Sequence, residues 1–149
     1  MARVWEFAHQ DLGEPPFVDG TAILRPVVPL MLAADLPAVF GVLDSGSPVS
    51  VASNDVFRWL GVDPDASPPL YELPLNVGGR FDRTPVFRVR LRLRAPEPSE
   101  RTFEWSLELA ARRRWRLPFA VLLGQRGWFD TFPTRLDAST SSVELPGGP

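Results

Sequence analysis

The chain has no cysteine and only one histidine, and these two absences exclude several kinds of chemistry. Without cysteine there is no disulfide framework, no thiolate metal site and no cysteine nucleophile. A Ser-His-Asp triad would have to use His9, and a solitary histidine near a chain end is more typical of a surface position. We therefore expect no metal ion and no other cofactor.

Lysine is also absent, so all 16 basic residues are arginine, in a chain of net charge -2. This charge gives no electrostatic reason to expect nucleic acid or an anionic membrane as a partner. The run Arg112–Arg116, which contains Trp115, could grip a phosphate or stack on a base. An exposed connection is the favoured interpretation, because the chain as a whole is slightly acidic.

Long uninterrupted hydrophobic runs are missing as well. The most apolar region, Val27–Leu43, contains Pro29, Asp35 and Pro37, which argue against a membrane span. The first seven residues lack the apolar core of a signal peptide. We expect a cytoplasmic protein with one domain over residues 1–149, in which residues 146–149 form a disordered tail.

Helical periodicity is scarce, and 17 prolines are spread along the chain, which favours an all-β fold. Apolar residues alternate with arginine in Val86–Arg94, and with acidic or polar residues in Phe103–Leu109. This pattern predicts an antiparallel pair with Arg opposite Glu on its solvated face. Other predicted strands are Thr21–Leu30, Leu36–Leu43, Phe119–Leu123 and Val143–Leu145, and the predicted short helices are Asp55–Leu60, capped by Asn54, and Gln125–Asp130.

The strand Leu36–Leu43 ends abruptly on Asp44-Ser45-Gly46-Ser47, and apolar residues resume at Val49. The acid is thus set into an otherwise buried segment, where a carboxylate is rare without a partner or a task. Taken alone, the tetrapeptide is also ordinary turn chemistry.

Two further signals follow the acidic motif in the chain. The segment Leu73–Pro85 carries Gly78-Gly79 and predicts a hairpin that extends beyond the sheet. The predicted strand after Phe119 then ends at Gly124. The order is acid loop, glycine-rich hairpin, and a Leu-Leu-Gly strand.

In these three motifs the chain resembles the retropepsin-like aspartic proteases, whose single lobe is a closed, barrel-like β fold. The resemblance implies that Asp44 is catalytic and that Ser45, Gly46 and Ser47 form the active-site loop. It also implies that Leu122-Leu123-Gly124 packs beside this loop. The implied flap over the substrate consists of Val77, Gly78, Gly79, Arg80 and Phe81. Unlike retroviral members, the chain has Pro48 and Val49 where an acid is usual, and Gln125 where an arginine is usual.

The chemistry of this family uses two carboxylates that share one proton, and the chain has no second Asp-Ser/Thr-Gly motif. A two-fold homodimer would supply the second Asp44. Ser45 is then expected to hydrogen-bond across the dimer, Ser47 to reach the carboxylate, and Gly46 to allow close approach. The expected substrate is an extended, largely hydrophobic polypeptide that binds as a strand beneath the hairpin.

Two alternatives remain at this point. The chain could be a non-catalytic retropepsin-fold module that binds peptides or mediates dimerisation, which the departures at Pro48 and Gln125 would suit. It could also be an unrelated β-sandwich in which Asp-Ser-Gly is only a turn.

Overall fold

The structure is a computed structural model that describes residues 3–77 and 79–149. It is dominated by strands, as the sequence predicts, with one short α-helix in the described ranges. The elements in chain order are β1 (Trp5–Ala8), β2 (Gln10–Asp11), β3 (Leu24–Arg25), β4 (Val27–Met31), β5 (Val39–Leu43), β6 (Val51–Ser53), α1 (Asn54–Trp59), β7 (Tyr71–Val77), β8 (Arg80–Arg94), β9 (Thr102–Arg112), β10 (Val121–Leu123), β11 (Arg135–Asp137) and β12 (Ser142–Leu145).

Seven of the strands form one sheet that closes on itself. Their order is β4-β5-β10-β6-β9-β8-β7, and β4 also pairs with β8 through Leu30 opposite Leu93. This last pairing joins the two ends of a six-strand ring and leaves β7 outside it as an edge. The result is a barrel-like closed sheet, because ring closure leaves no free edge among those six strands.

The strands β8 and β9 are the longest elements, and they confirm the predicted antiparallel pair. Arg88 lies opposite Glu108 and Arg92 opposite Glu104 in the register. The alternate positions Val89, Leu91, Leu93, Leu107 and Leu109 are buried. The period of two in the sequence therefore places one face of the pair in the core and the arginine row in solvent.

Aromatic residues from β9 and from the segment after β10 pack together in the core. The rings of Trp105 and Trp128 meet edge-on with centroids 5.7 Å apart, and Phe132 lies 5.1 Å from Trp105. The Trp105 indole N–H donates to the Gly127 carbonyl oxygen at 2.9 Å, so the buried polar atom is paired. These contacts anchor the turn that follows β10.

A separate three-stranded sheet of order β1-β12-β11 joins the two ends of the chain. Trp5 lies opposite Leu145 in the register, and both side chains are buried. The strands β1 and β11 were not anticipated from the sequence. In the terminal residues, the Gly148 amide donates to the Leu145 carbonyl oxygen at 3.0 Å.

The first predicted helix is present, but its cap differs from the prediction. Helix α1 begins at Asn54 itself, and the preceding Ser53 makes no capping hydrogen bond through its side chain. Leu60 and Gly61 end the helix as expected, through amides that donate to Val56 and Arg58.

The second predicted helix, Gln125–Asp130, is wrong: the segment is a series of turns. Its amides do bond back in a helical sense, with Phe129 N donating to Gly124 O and Asp130 N to Gln125 O. Gly127, however, has a φ of 107°, which a right-handed helix does not accommodate.

Two predicted strands have different bounds in the structure. The strand predicted from Leu36 begins only at Val39, because the Leu36 amide closes a turn onto the Ala33 carbonyl. The strand predicted as Thr21–Leu30 is divided into β3 and β4 around Pro26, which has no amide hydrogen to donate. No helix in residues 3–77 and 79–149 is long and apolar enough to cross a membrane.

Candidate active site

Asp44 is the first residue after β5, where the parallel neighbour β10 also ends. Its amide donates to the Leu123 carbonyl oxygen at 2.9 Å, which continues the β5–β10 pairing by one step. The side chain is half-buried, and its Oδ1 accepts a hydrogen bond from the Gly46 amide at 2.9 Å. The motif is therefore a turn that also fixes the direction of a carboxylate.

Ser47 has a different role from the one expected. Its hydroxyl donates to the Val49 carbonyl oxygen at 2.7 Å and not to the Asp44 carboxylate. The donor to the carboxylate is the Gly46 backbone, which the sequence did not single out for that purpose. Ser47 thus shapes the loop (residues 44–49, called the acid loop below), and its amide also donates to the Asp44 carbonyl oxygen at 3.1 Å.

The chain after β10 passes directly against the acid loop. A Cβ on Gly124 would lie 2.3 Å from the Val49 carbonyl oxygen and 2.6 Å from that of Ser47. The next two amides donate into the loop, Gln125 N to Ser47 O at 2.8 Å and Arg126 N to Pro48 O at 3.1 Å. Gly124 and the two residues after it therefore lie directly against the acid loop.

Ser50 is a buried residue of this site that sequence reasoning missed. Its hydroxyl oxygen accepts from the Gly124 amide at 3.0 Å, and the hydroxyl donates to the Arg126 carbonyl oxygen at 2.7 Å. One hydroxyl therefore makes hydrogen bonds to two backbone groups that are not paired within a strand ladder. The only signal in the sequence is a single polar residue between Val49 and Val51.

Gln125 occupies the position where retroviral members usually have an arginine, and its side chain makes a hydrogen bond to the acid loop. The amide Nε2 donates to the Ser45 carbonyl oxygen at 2.6 Å. The following Arg126 forms an ion pair with Glu108 on β9, with Nη2 and Oε2 3.3 Å apart. Gln125 thus braces the acid loop through a neutral amide, and the side chain of the next residue pairs with β9 instead.

Arg25 is a second missed residue, and it lies level with Asp44. Val27 pairs with Val42, and the Leu43 amide donates to the Pro26 carbonyl oxygen at 2.9 Å, so the next residue back is opposite Asp44. The Arg25 guanidinium binds both carboxylate oxygens of Glu14, at 2.6 and 2.7 Å. This hydrogen bond lowers the pKa of Glu14, and together with the nearby charge of Asp44 it raises the pKa of Arg25.

The predicted flap is a hairpin of β7 and the first part of β8, paired in register from Tyr71 opposite Val86 to Val77 opposite Arg80. Gly79 has a φ of 81°, which only glycine adopts freely. Gly78, predicted at the tip, lies outside the described residues. The neighbouring Phe81 is 70% exposed, so it contributes no wall to a cleft within one chain.

The inner face of this hairpin packs on the end of the acid loop and on neighbouring strands. The half-buried Leu73 and Leu75 lie against a small apolar cluster separate from the main core. Its other members are Val49, Val51, Val86, Ala110 and Trp115. Trp115 comes from the arginine-rich run, and its indole N–H donates to the Phe119 carbonyl oxygen. The run is therefore anchored by its tryptophan, which the sequence did not predict.

Among residues 3–77 and 79–149 there is no group of three or more His, Cys, Asp or Glu side chains placed to hold a metal ion. The arrangement offers instead one half-buried carboxylate on a braced loop, a hairpin above an apolar cluster, and a backbone packed tightly at Gly124.

Comparison with known proteins identifies the architecture. No family model matches the chain, and no curated protein matches it in sequence. Among solved structures, the chain is similar to a retropepsin-like aspartic protease from Rickettsia conorii, with a TM-score of 0.54 and 13% identity over 96% of this chain and 91% of that one. At this identity the likeness concerns the fold alone. The chain has a retropepsin-like fold.

Proposed function

We propose that the protein is an aspartic endopeptidase whose active site is completed by a second copy of the chain. The observation that carries this proposal is the bracing of Asp44, whose carboxylate accepts the Gly46 amide while its backbone is held by Leu123. The same fold in a protein described as a retropepsin-like aspartic protease supports the proposal. The expected site of action is the cytoplasm.

The reaction needs two carboxylates, and one chain supplies one. In the proposed dimer the two Asp44 side chains meet on the two-fold axis, where like charges cannot both ionise. The ionised one removes a proton from a water molecule, and the protonated one donates a hydrogen bond to the substrate carbonyl oxygen. Water attacks the carbonyl carbon, and the amide nitrogen leaves after it has been protonated.

The substrate in this proposal is an extended polypeptide with apolar side chains. The edge strand β7 offers unpaired backbone groups, and the apolar cluster around Leu73 and Trp115 offers a contact for side chains. An added strand beneath the hairpin would use both features.

The test is the variant Asp44→Asn, assayed for cleavage of a peptide library at mildly acidic pH. We expect activity to fall by about 10²- to 10⁴-fold while the fold is retained, because the amide cannot act as acid or base. Specific activity of the parent protein should also rise with protein concentration. Equal cleavage by Asp44→Asn and the parent would contradict the proposal, and binding without cleavage would favour the non-catalytic peptide-binding module.

A further inference from the structure

Three side chains from distant parts of the chain form a continuous polar row between the hairpin and the acid loop. The Tyr71 hydroxyl donates to Glu108 Oε2 at 2.6 Å, and Arg126 Nη2 lies 3.3 Å from the same oxygen. Tyr71 is the first residue of β7, Glu108 belongs to β9, and Arg126 follows β10. One carboxylate oxygen therefore joins three elements.

The Arg126 end of the row is fixed to the acid loop by its backbone. Its amide donates to the Pro48 carbonyl oxygen at 3.1 Å, and its carbonyl oxygen accepts from the Ser50 hydroxyl at 2.7 Å. The backbone of Arg126 is thus held by two hydrogen bonds to the segment that follows Asp44. Its side chain is 65% exposed but is paired with Glu108, so it links that segment to β9.

The Tyr71 end of the row lies at the stem of the hairpin. Tyr71 on β7 pairs with Val86 on β8, which pairs in turn with Ala110 on β9. Ala110 is therefore level with Tyr71, and Glu108 is two residues before it on the same strand. Residues two apart on a strand share a face, which explains how the phenol reaches across β8. Beneath the row, Val49, Leu73, Val86 and Ala110 line a small apolar recess.

The bond between Tyr71 and Glu108 is of the strong, charge-assisted kind. An O–H···O⁻ distance of 2.6 Å is typical of a neutral hydroxyl bound to a carboxylate. The Glu108 side chain is 26% exposed, which reduces competition from water but does not remove it. This bond also raises the pKa of Tyr71, which keeps the hydroxyl protonated as a donor. An exposed ion pair alone contributes little, whereas a shared network held by rigid strands contributes more.

We propose that Tyr71, Glu108 and Arg126 are positioning residues that set the height of the hairpin above the acid loop. The inference rests on the proposed function, because it assigns the hairpin a role over the Asp44 site. None of the three touches the reacting atoms. When the row is intact, the inner face of β7 is held over the apolar recess and the substrate strand enters a preformed space. When it is broken, part of the binding energy is spent on ordering the hairpin.

The first test is Tyr71→Phe, which removes the hydroxyl and keeps the ring. We expect KM to rise by about 5- to 10-fold with kcat changed much less, since the lost interaction organises binding and not the chemical step. Arg126→Gln should give a similar split, and the double variant should lose less than the product of the two single effects. An unchanged KM in Tyr71→Phe would overturn the inference. So would a fall of about 5- to 10-fold in kcat with KM unchanged.

A matched control is available on the same pair of strands. Arg90→Gln breaks the ion pair of Arg90 with Glu104, whose nearest atoms are 3.6 Å apart, without touching the hairpin or the acid loop. This variant should retain the parent KM. A rise in KM equal to that of Tyr71→Phe would mean that any loss of charge pairing on β8–β9 has the same effect, and would also overturn the inference.

A second measurement separates this inference from the proposed function. In the Asp44→Asn background, amide hydrogen exchange of residues 72–76 should be about 5- to 10-fold faster when Tyr71→Phe is added, and unchanged when Arg90→Gln is added. If exchange responds in this way and no variant or parent cleaves peptides, the proposed function fails while the positioning row stands. If exchange does not respond, the row fails even where cleavage is observed.

Discussion

At the scale of single residues, the acid loop leaves no room around Gly124. Two backbone carbonyl oxygens, those of Ser47 and Val49, stand where a Cβ would be placed. Neither can rotate away as a flexible side chain could, because both belong to the loop that carries Asp44. The glycine is thus a steric requirement of the site.

We predict that Gly124→Ala destabilises the protein by about 3 kcal/mol or more, since an added methyl group must displace backbone. The control is Gly13→Ala, at a φ of 78° with nothing within 4 Å of the added Cβ. Its only cost is that of the left-handed backbone, about 1–2 kcal/mol, whereas the cost at Gly124 comes from contact with the two carbonyl oxygens. Chemical denaturation of both variants measures the difference, and equal losses would contradict the steric account.

The pair of Glu14 and Arg25 is the residue-scale feature with a pH dependence. Because Arg25 lowers the pKa of Glu14, the pair is intact above the pKa of unfolded Glu14 and is lost only as pH falls through the lower, folded value. The pair therefore persists at the mildly acidic pH at which an aspartic endopeptidase would work. It neutralises a cation that would otherwise act alone on Asp44.

We predict that Glu14→Gln lowers the melting temperature at neutral pH, where the pair with Arg25 is intact, and much less at a pH below the folded pKa of Glu14, where the parent has also lost the pair. Glu104→Gln, which removes the partner of Arg90 on β9, is the control for the loss of an exposed ion pair. Thermal unfolding at the two pH values measures the difference, and an equal effect of Glu14→Gln at both would contradict this account.

At the scale of elements, regular patterns were predictable and irregular ones were not. The alternation of apolar and charged residues in β8 and β9 predicts an antiparallel pair with Arg opposite Glu, and the register of Arg88 with Glu108 confirms it. The segment Gln125–Asp130 is predicted as a short helix, whereas the structure has turns there. Their arrangement depends on Gly127 at φ 107° and on the Trp105 indole, which belongs to another strand. A contact between residues 22 positions apart in the chain leaves no pattern in the nearby sequence.

The same distinction explains the candidate site. Asp44 and Gly124 carry local motifs, and both were found from the sequence. Ser50 and Arg25 carry none, because their roles arise from hydrogen bonds to residues 76 and 11 positions away along the chain. Trp115 bonds to the nearby Phe119, but the apolar cluster that it joins with Leu73 and Val49 brings together distant parts of the chain. The hydrogen bond of the Ser47 hydroxyl was expected to go to the Asp44 carboxylate, but it goes to the Val49 carbonyl oxygen. Only the geometry of the loop decides between these two acceptors.

At the scale of the whole molecule, one short pairing closes the barrel. Leu30 on β4 lies opposite Leu93 on β8, and both side chains are fully buried. The strands are separated by more than 60 residues of sequence, so the closure is a long-range contact that carries a loop-entropy cost. Packing of the two leucines in the core offsets that cost.

We predict that Leu93→Ala lowers the free energy of unfolding by about 2–5 kcal/mol, because it opens a cavity at the point of closure. Leu136→Ala, at a side chain that is 40% exposed, should cost no more than about 0.5 kcal/mol. Thermal or denaturant unfolding compares the two. A similar small cost for both would show that closure does not depend on this contact.

Local periodicity and short motifs are enough to predict the all-β class, the position of the acidic motif, and the order of acid loop, hairpin and Leu-Leu-Gly strand. They do not predict what holds the Asp44 carboxylate, which residues brace the acid loop, or how β4 closes onto β8. Those outcomes depend on the distances between segments that are far apart in the chain, and such distances exist only after the sheet has formed.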